Sequence, residues 1–363
     1  MGRNSGARRA LDLPYAIGYN RKRENMAFEI PILSKVTTMH CVPAFLIGLA
    51  LRAVFAACLL FATGAYAQYP TKPIRMVVPF PPGGSADVIA RSIAQSMSQG
   101  LDQPVVVENK TGADGMIAGE AVMKAAPDGY TLIFATNTAF NAAPVMHKAI
   151  TYDPVADFTP VGRVGTFGFF VFVHEGLPAR TLAQLFEYAR ANPGKLSYGS
   201  GNSTSIIATA RLAQEARLDM THVPYRGEAP MTLDLLAGRV QVAVATGTLL
   251  QHAKDGKLRV LVTLLPNRAA VLPDVPTLVE VGVRAMPMTS WAGIFGPAKM
   301  PRPIVERLAR ELSRALAQPG TRDQLEKLAF EPQSSTPEEL GEIVRVQLEI
   351  WRKSVRDAGL AAQ

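Results

Sequence analysis

The sequence has few of the side chains that enzymes use for covalent or metal chemistry. Both of its cysteines lie within the first 67 residues, and four of its five histidines come later, with no metal-ligand spacing. The phosphate-loop, dinucleotide, serine-hydrolase and zinc-protease motifs are also missing. We therefore expect no catalytic residues, no metal and no cofactor, and we predict a binding protein and not an enzyme.

The sequence also has little excess charge once its amino-terminal segment is set aside. Eight of the 38 Lys and Arg and three of the 30 Asp and Glu lie in residues 1–67, which leaves a net charge of +3 for the rest. No basic run with interleaved aromatic residues follows residue 68, so we expect no nucleic-acid partner. The lack of cysteines after residue 67 suits an oxidising compartment.

Residues 1–67 have the composition of a secretory signal peptide with an over-long amino end. A basic, irregular segment precedes the apolar stretch Val42–Ala67, which Arg52 interrupts and which ends in Ala-Tyr-Ala. The alternative is a membrane anchor, but the uncharged core Ala53–Ala67 is shorter than the roughly 20 residues that a spanning helix needs. We predict cleavage after Ala67.

Beyond the leader, apolar runs alternate with helical patterns, as in α/β proteins with a mainly parallel sheet. The pattern predicts two α/β lobes, with the chain crossing between them near Gly165 and near Met288. The first lobe would comprise residues 68–165 and 288–363, and the second lobe residues 166–287. A cleft between two such lobes is a natural ligand site.

The segment PFPPGGSAD joins a predicted strand, Ile74–Phe80, to a predicted helix. Ligands of parallel α/β sheets bind at this end of the strands. Gly83 and Gly84 let a ligand approach the main chain, and Ser85 begins a helix whose first amides favour an anion. Asp87 is expected to hold the loop amides. The alternative is that the glycines only make a tight turn.

Six segments of the sequence, in this order, resemble the Bug family, the periplasmic receptors of tripartite tricarboxylate transporters. The match runs across about residues 69–360, and the segments read YPTKPIRMVVPFPPGGSADVIAR, VVVENKTGADGMIAGEAV, PDGYTLIFAT, HVPYRGEAPMTLDLLAGRVQV, LPDVPTLVEVG and WAGIFGPAKMPRPIVERLARELSRAL.

This resemblance implies a two-lobed periplasmic-binding-protein fold of type II-like architecture, with a mixed, mainly parallel sheet flanked by helices in each lobe. A monomer in the periplasm would close on a small organic carboxylate, such as a di-, tri- or aromatic carboxylate, and deliver it to the membrane permease subunits. Two alternatives stay open: presentation of the ligand to a membrane sensor, and a periplasmic enzyme acting on carboxylates or esters.

The resemblance also implies ligand-binding positions in both lobes. In the first lobe they are Pro82, Gly83, Gly84, Ser85, Asp87, Thr136, Asn137 and Asn141. In the second lobe they are Ser200, Gly201, Asn202, Ser203, Thr204, Tyr225, Arg226, Gly227 and Thr246.

Two positions depart from the family pattern. Many relatives have a histidine where this chain has Ile207, and an aspartate where it has Ala245 beside Thr246. The loss of an acid in the second lobe would disfavour amino-acid-like ligands and favour an aliphatic or aromatic carboxylate. Trp291 is expected to pack beneath the cleft.

Overall fold

Two β-sheets flanked by helices organise the described part of the chain, which in the computed structural model comprises residues 69–357 and Gly359. The predicted leader, residues 1–67, lies outside the described residues. Within the described range, no helix combines the length and the apolar composition needed to cross a bilayer.

The strands are β1 Ile74–Val78, β2 Val105–Asn109, β3 Thr131–Thr136, β4 Phe158–Phe167, β5 Phe169–His174, β6 Leu196–Ser200, β7 Met220–Pro224, β8 Val242–Thr246, β9 Leu258–Thr263, β10 Trp291–Pro297 and β11 Phe330–Pro332. The α-helices are α1 Ser85–Leu101, α2 Met116–Met123, α3 Ala143–Met146, α4 Leu182–Ala191, α5 Ser203–Ala216, α6 Glu228–Leu236, α7 Leu250–Lys254, α8 Arg302–Ala317, α9 Pro319–Glu326 and α10 Pro337–Asp357. A π-helical turn, Thr138–Ala142, precedes α3.

The first sheet has the strand order β11-β4-β10-β3-β1-β2, and the second has the order β7-β6-β8-β5-β9. Strands β2 and β3 run parallel to β1, and β7 and β8 run parallel to β6. The other pairings are antiparallel. Both sheets are therefore mixed, as predicted, with a smaller parallel share than expected: β10 runs opposite to β3 and β4, and β5 runs opposite to β8 and β9.

The chain passes from the first sheet to the second at Gly168, between β4 and β5, and returns between β9 and β10. The amide of Gly168 donates to the Ala329 carbonyl at 2.8 Å, and a Cβ at residue 168 would lie 2.5 Å from that oxygen. There is thus no space for a side chain at residue 168. The predicted lobe boundaries near Gly165 and Met288 lie close to these crossings and stay a prediction.

Helix α1 shows how the sequence builds the first lobe. Its apolar residues recur every four positions, and Ile89, Ile93 and Met97 are fully buried. This spacing places them on one face of the helix, which packs into the same core as strand β1. Each such burial stabilises the fold by about 1.5–3 kcal/mol, and together they fix the position of the amino end of α1.

Candidate functional site

The loop between β1 and α1 presents backbone amides at the carboxyl end of the first strand. Gly83 has a φ of +81°, a conformation that suits glycine. Gly84 is the N-cap of α1, and no side chain caps this helix. The first amides of an α-helix lack intrahelical partners and carry partial positive charge. Ser85 and Ala86, which supply these amides, line a cleft between the two sheets.

Asp87 holds this loop in place from behind. Its carboxylate is buried and accepts hydrogen bonds from the Gly83 amide at 3.0 Å, Arg91 Nε at 2.9 Å and Asn109 Nδ2 at 2.8 Å. Burial by itself raises the pKa of Asp87, but the hydrogen bonds from Arg91, Gly83 and Asn109 outweigh it and hold the pKa below its ordinary value. Asp87 is thus a supporting residue of the loop.

Replacing Asp87 by asparagine should lower the unfolding free energy at neutral pH. A carboxyl whose pKa is depressed by folding adds stability above its unfolded pKa, about 3.9, and this stability is lost as the pH falls through the folded pKa. The difference from wild type should therefore shrink below about pH 4, as measured by urea unfolding between pH 7 and pH 3. A difference that stays constant over this range would contradict the charge-based role.

The carboxyl end of β3 adds a hydroxyl and an amide to the cleft. Thr136 Oγ1 is buried and has no hydrogen-bond partner among the described residues. The neighbouring Asn137 donates from Nδ2 to Thr204 Oγ1 at 2.8 Å. This bond joins the end of the first sheet to helix α5 of the second, so the two sides of the cleft are in direct contact.

On the other side, the turn after β6 packs against the turn before α6. A Cβ at Gly201 would lie 2.6 Å from the Glu228 amide nitrogen, so only glycine fits there. Asn202 caps α5 by accepting from the Ser205 amide at 2.9 Å. A Cβ at Gly227 would lie 3.0 Å from the ring of Pro81 in the first-lobe loop. The two glycine-bearing turns therefore face each other closely.

The cleft between these turns holds about 500 Å³ of empty space, including the part open to solvent. Apolar walls come from Phe80, Phe167 and Phe169. Among the described lining residues there is no lysine, arginine or histidine. An anion in this cleft would thus be held by neutral donors and helix amides, and not by a cation.

The structure brings many of the predicted site residues together around this cleft. Those that line it are Gly84, Ser85, Thr136, Asn137, Gly201, Asn202, Thr204, Gly227 and Thr246. Those that are not among its lining residues are Pro82, Gly83, Asp87, Asn141, Ser200, Ser203, Tyr225 and Arg226. The binding role of each residue stays a prediction.

Asn141 is turned away from the cleft into the core. It is fully buried, accepts from Trp291 Nε1 at 2.8 Å and donates to the Val344 carbonyl at 2.9 Å. Trp291 is itself fully buried and packs against Phe140 and Phe295. This pair ties β10 and α10 to the π-helical turn and supports the cleft from below.

Three of the predicted second-lobe site residues also lie outside the lining of the cleft. The Tyr225 hydroxyl donates to Asp234 Oδ2 at 2.7 Å. Ser200 Oγ lies 2.6 Å from His222 Nε2 in a partly buried pair. Arg226 is exposed to solvent outside the lining. Tyr225 and Ser200 therefore brace the turns, and Arg226 does not enter the cleft in this arrangement.

Glu228 lines the cleft and was missed by the sequence analysis. Its carboxyl accepts from the Thr246 amide at 3.1 Å, Thr246 Oγ1 at 2.5 Å and Asn202 Nδ2 at 3.2 Å. Burial raises the pKa of Glu228, and this effect outweighs the opposing hydrogen bonds. The sequence analysis noted the loss of an acid at the Ala245 position but did not consider Glu228, which places a carboxyl among the cleft residues of the second lobe. The only sequence signal was an acid at the start of a helix, directly after the PYRG turn.

The described residues contain no cluster of three His, Cys, Asp or Glu side chains suited to a metal ion. The candidate site is thus a cleft of backbone amides, hydroxyls and side-chain amides with one buried carboxyl. Such a set of groups can orient a small polar ligand, and the contact between Ser200 Oγ and His222 Nε2 lies outside its lining residues.

Comparisons with known proteins agree with this geometry. The family model described as "Tripartite tricarboxylate transporter family receptor" matches residues 89–360. A UPF0065 protein in the tcbD-tcbE intergenic region of Pseudomonas sp. (strain P51) is 37% identical over 298 residues, covering 81% of this chain and 88% of the relative.

Two solved structures share the fold. The periplasmic binding protein BugD has a TM-score of 0.77 and 32% identity, over 81% of this chain and 100% of BugD. An R. palustris protein with adipate has a TM-score of 0.78 and 31% identity, over 81% of this chain and 99% of that protein. The resemblance to the Bug family, the two-lobed fold and the absence of an enzyme function are thereby confirmed. The chain belongs to the receptor family of the tripartite tricarboxylate transporters.

Proposed function

We propose that this protein is a periplasmic receptor that captures a small organic carboxylate in the cleft and delivers it to the permease subunits of a tripartite tricarboxylate transporter. Residues 1–67 are its export signal, cleaved after Ala67. Residues 68–165 with 288–363 form one lobe, residues 166–287 form the other, and the protein acts as a monomer.

The observation that carries this proposal is an unsatisfied set of donors on one wall of the cleft. Within residues 69–357, Thr136 Oγ1 is buried without a partner, and no side chain caps the amino end of α1 beside it. A buried hydroxyl without a partner costs free energy, and a ligand carboxylate would supply the missing acceptor. The same anion would neutralise the positive end of α1.

The family relationship supports the same ligand class. The R. palustris protein of similar fold was solved with adipate, a carboxylate. The aromatic walls at Phe80, Phe167 and Phe169 suit the carbon skeleton of such an acid. Binding by neutral donors alone allows release of the ligand intact, as transport requires.

The proposal is tested by isothermal titration of the purified exported protein with a panel of mono-, di- and tricarboxylates. At least one acid should bind and be recovered chemically unchanged. Binding of none of the acids, or their conversion to another compound, would contradict it. A ligand at 100 times its dissociation constant should also add about 2.7 kcal/mol of stability.

Thr136 gives a sharper test because replacing it should weaken ligand binding without lowering the stability of the unliganded protein. Thr136→Val removes an unpartnered hydroxyl, so the unliganded protein should be as stable as wild type or slightly more stable. The same change should weaken the binding of the tightest-binding acid about 10- to 100-fold, by analogy with hydrogen bonds to charged groups. Thr136→Ser, which keeps the hydroxyl, is the control. Equal affinity in both variants would remove Thr136 from the site.

A further inference from the structure

We propose that Glu228 fills the anion-binding nest of the second lobe with the protein's own carboxyl group, which restricts the cleft to ligands with a single carboxylate. This inference rests on the proposed function and narrows its ligand class. The nest consists of the Thr246 amide, the Thr246 and Thr248 hydroxyls and the Asn202 side-chain amide.

Four donors converge on the Glu228 carboxyl. The Thr246 amide and Asn202 Nδ2 approach Oε1 at 3.1 and 3.2 Å, and the Thr246 and Thr248 hydroxyls approach Oε2 at 2.5 and 3.4 Å. Asn202 must donate through Nδ2, because its Oδ1 accepts from the Ser205 amide. A carboxylate offers about four acceptor positions. These four donors are therefore already used. Helix α6 on this wall also has no capping side chain among the described residues, but its first turn carries the Glu228 carboxyl itself.

The opposite wall has the reverse arrangement. The amino end of α1 lacks a capping side chain, and Thr136 Oγ1 lacks a partner among the described residues. The rings of Phe80, Phe167 and Phe169 also line the cleft. The first wall thus offers free anion donors and has no carboxyl among its lining residues, whereas the second wall already carries the Glu228 carboxyl.

This asymmetry selects the ligand. A monocarboxylate with an aliphatic or aromatic body would place its charge at α1 and its carbon skeleton against the rings. A second carboxylate would meet Glu228, and the described lining contains no cation to offset the repulsion. The nest stays filled whether Glu228 is protonated or ionised, so the restriction does not depend on its charge alone.

The test compares acids that share a skeleton and differ by one carboxylate. Hexanoate with adipate, butyrate with succinate and benzoate with terephthalate are titrated into wild type, Glu228→Ala and Glu228→Gln. The measured quantity is the ratio of the dissociation constant of the diacid to that of its monoacid. In wild type this ratio should be at least ten for each monoacid that binds. Glu228→Ala opens the nest and should reduce this ratio at least tenfold by tightening the diacid. Glu228→Gln removes the charge but keeps the nest occupied, so its ratio should lie between the two.

Glu342→Ala, at an exposed glutamate of α10, is the matched control and should leave the ratio unchanged. Equal affinity of wild type for a monoacid and its diacid would overturn the inference while leaving the proposed function standing, as would an unchanged ratio in Glu228→Ala. If Glu228→Ala does not fold, Glu228→Gln decides, and an unchanged ratio there overturns the inference. Failure of every acid to bind any variant would overturn both proposals.

Discussion

Replacing Gly84 by valine should abolish carboxylate binding while the unliganded protein still unfolds cooperatively. Gly84 is the uncapped N-cap of α1, with φ of −78° and ψ of 166°, a conformation that valine adopts readily. A Cβ there would meet only the Pro81 carbonyl oxygen, at an ordinary 3.6 Å. The fold therefore tolerates the substitution, but the added methyl groups stand where an anion would approach the first helical amides.

The expected loss of affinity is about hundredfold or more. Two hydrogen bonds to a charged group, at about 1.5–3 kcal/mol each, correspond to at least a factor of 10² in the dissociation constant. The measurement is titration with the tightest acid from the panel. Gly341→Val in α10 is the control, since Gly341 is also half-buried and its Cβ would also have a single neighbour at 3.6 Å. Wild-type affinity in Gly84→Val would reject this loop as the anion site.

Replacing Asn141 by leucine should have the opposite effects to Gly84→Val. The unfolding free energy should fall strongly, and the affinity for the ligand should be retained. The change leaves the Trp291 indole N–H buried without its partner, and it removes the second hydrogen bond of the Val344 carbonyl, which lies inside helix α10. The unsatisfied N–H costs about 1–3 kcal/mol and the lost hydrogen bond about 0.5–1.5 kcal/mol, so the unfolding free energy should fall by about 2–4 kcal/mol. Urea unfolding measures this loss, and titration with the tightest acid measures the affinity.

Trp291→Phe supplies the control for Asn141. It removes the indole N–H, so its combination with Asn141→Leu should cost less than the sum of the two single changes. Strict additivity would argue against the hydrogen bond as the cause. A loss of affinity without a loss of stability would instead restore Asn141 to the ligand site and show that this part of the structural interpretation is wrong.

The elements that could be predicted from the sequence are those with a local residue pattern. The four-residue spacing of Ile89, Ile93 and Met97 in the sequence indicates the face of α1 that the structure buries. The strand, glycine turn and helix of the first-lobe loop were also readable, because Pro, Gly and Ser punctuate the chain there.

Other features depend on contacts between distant segments and could not be predicted in this way. The π-helical turn at Thr138–Ala142 carries Asn141 toward Trp291, 150 residues later in the chain, and no local propensity indicates that turn. Glu228 meets Thr246 across 18 residues. A sequence comparison at the Ala245 position in β8 alone suggested that the acid was lost, whereas the fold supplies a carboxyl from the first turn of α6.

The antiparallel pairing of β10 has a similar origin. A parallel pattern was inferred from alternating strands and helices, and β1, β2 and β3 follow it. Strand β10 enters the first sheet only after the chain has built the second sheet, so its direction is set by the crossing between sheets and not by its own residues.

The most direct test of the central claim is a crystal structure of the protein with its tightest acid bound. We expect carboxylate oxygens within about 3.2 Å of the Ser85 and Ala86 amide nitrogens and of Thr136 Oγ1, with the carbon skeleton against the aromatic walls. A carboxylate bound by a lysine or arginine outside the cleft, with these amides still facing solvent, would contradict the account.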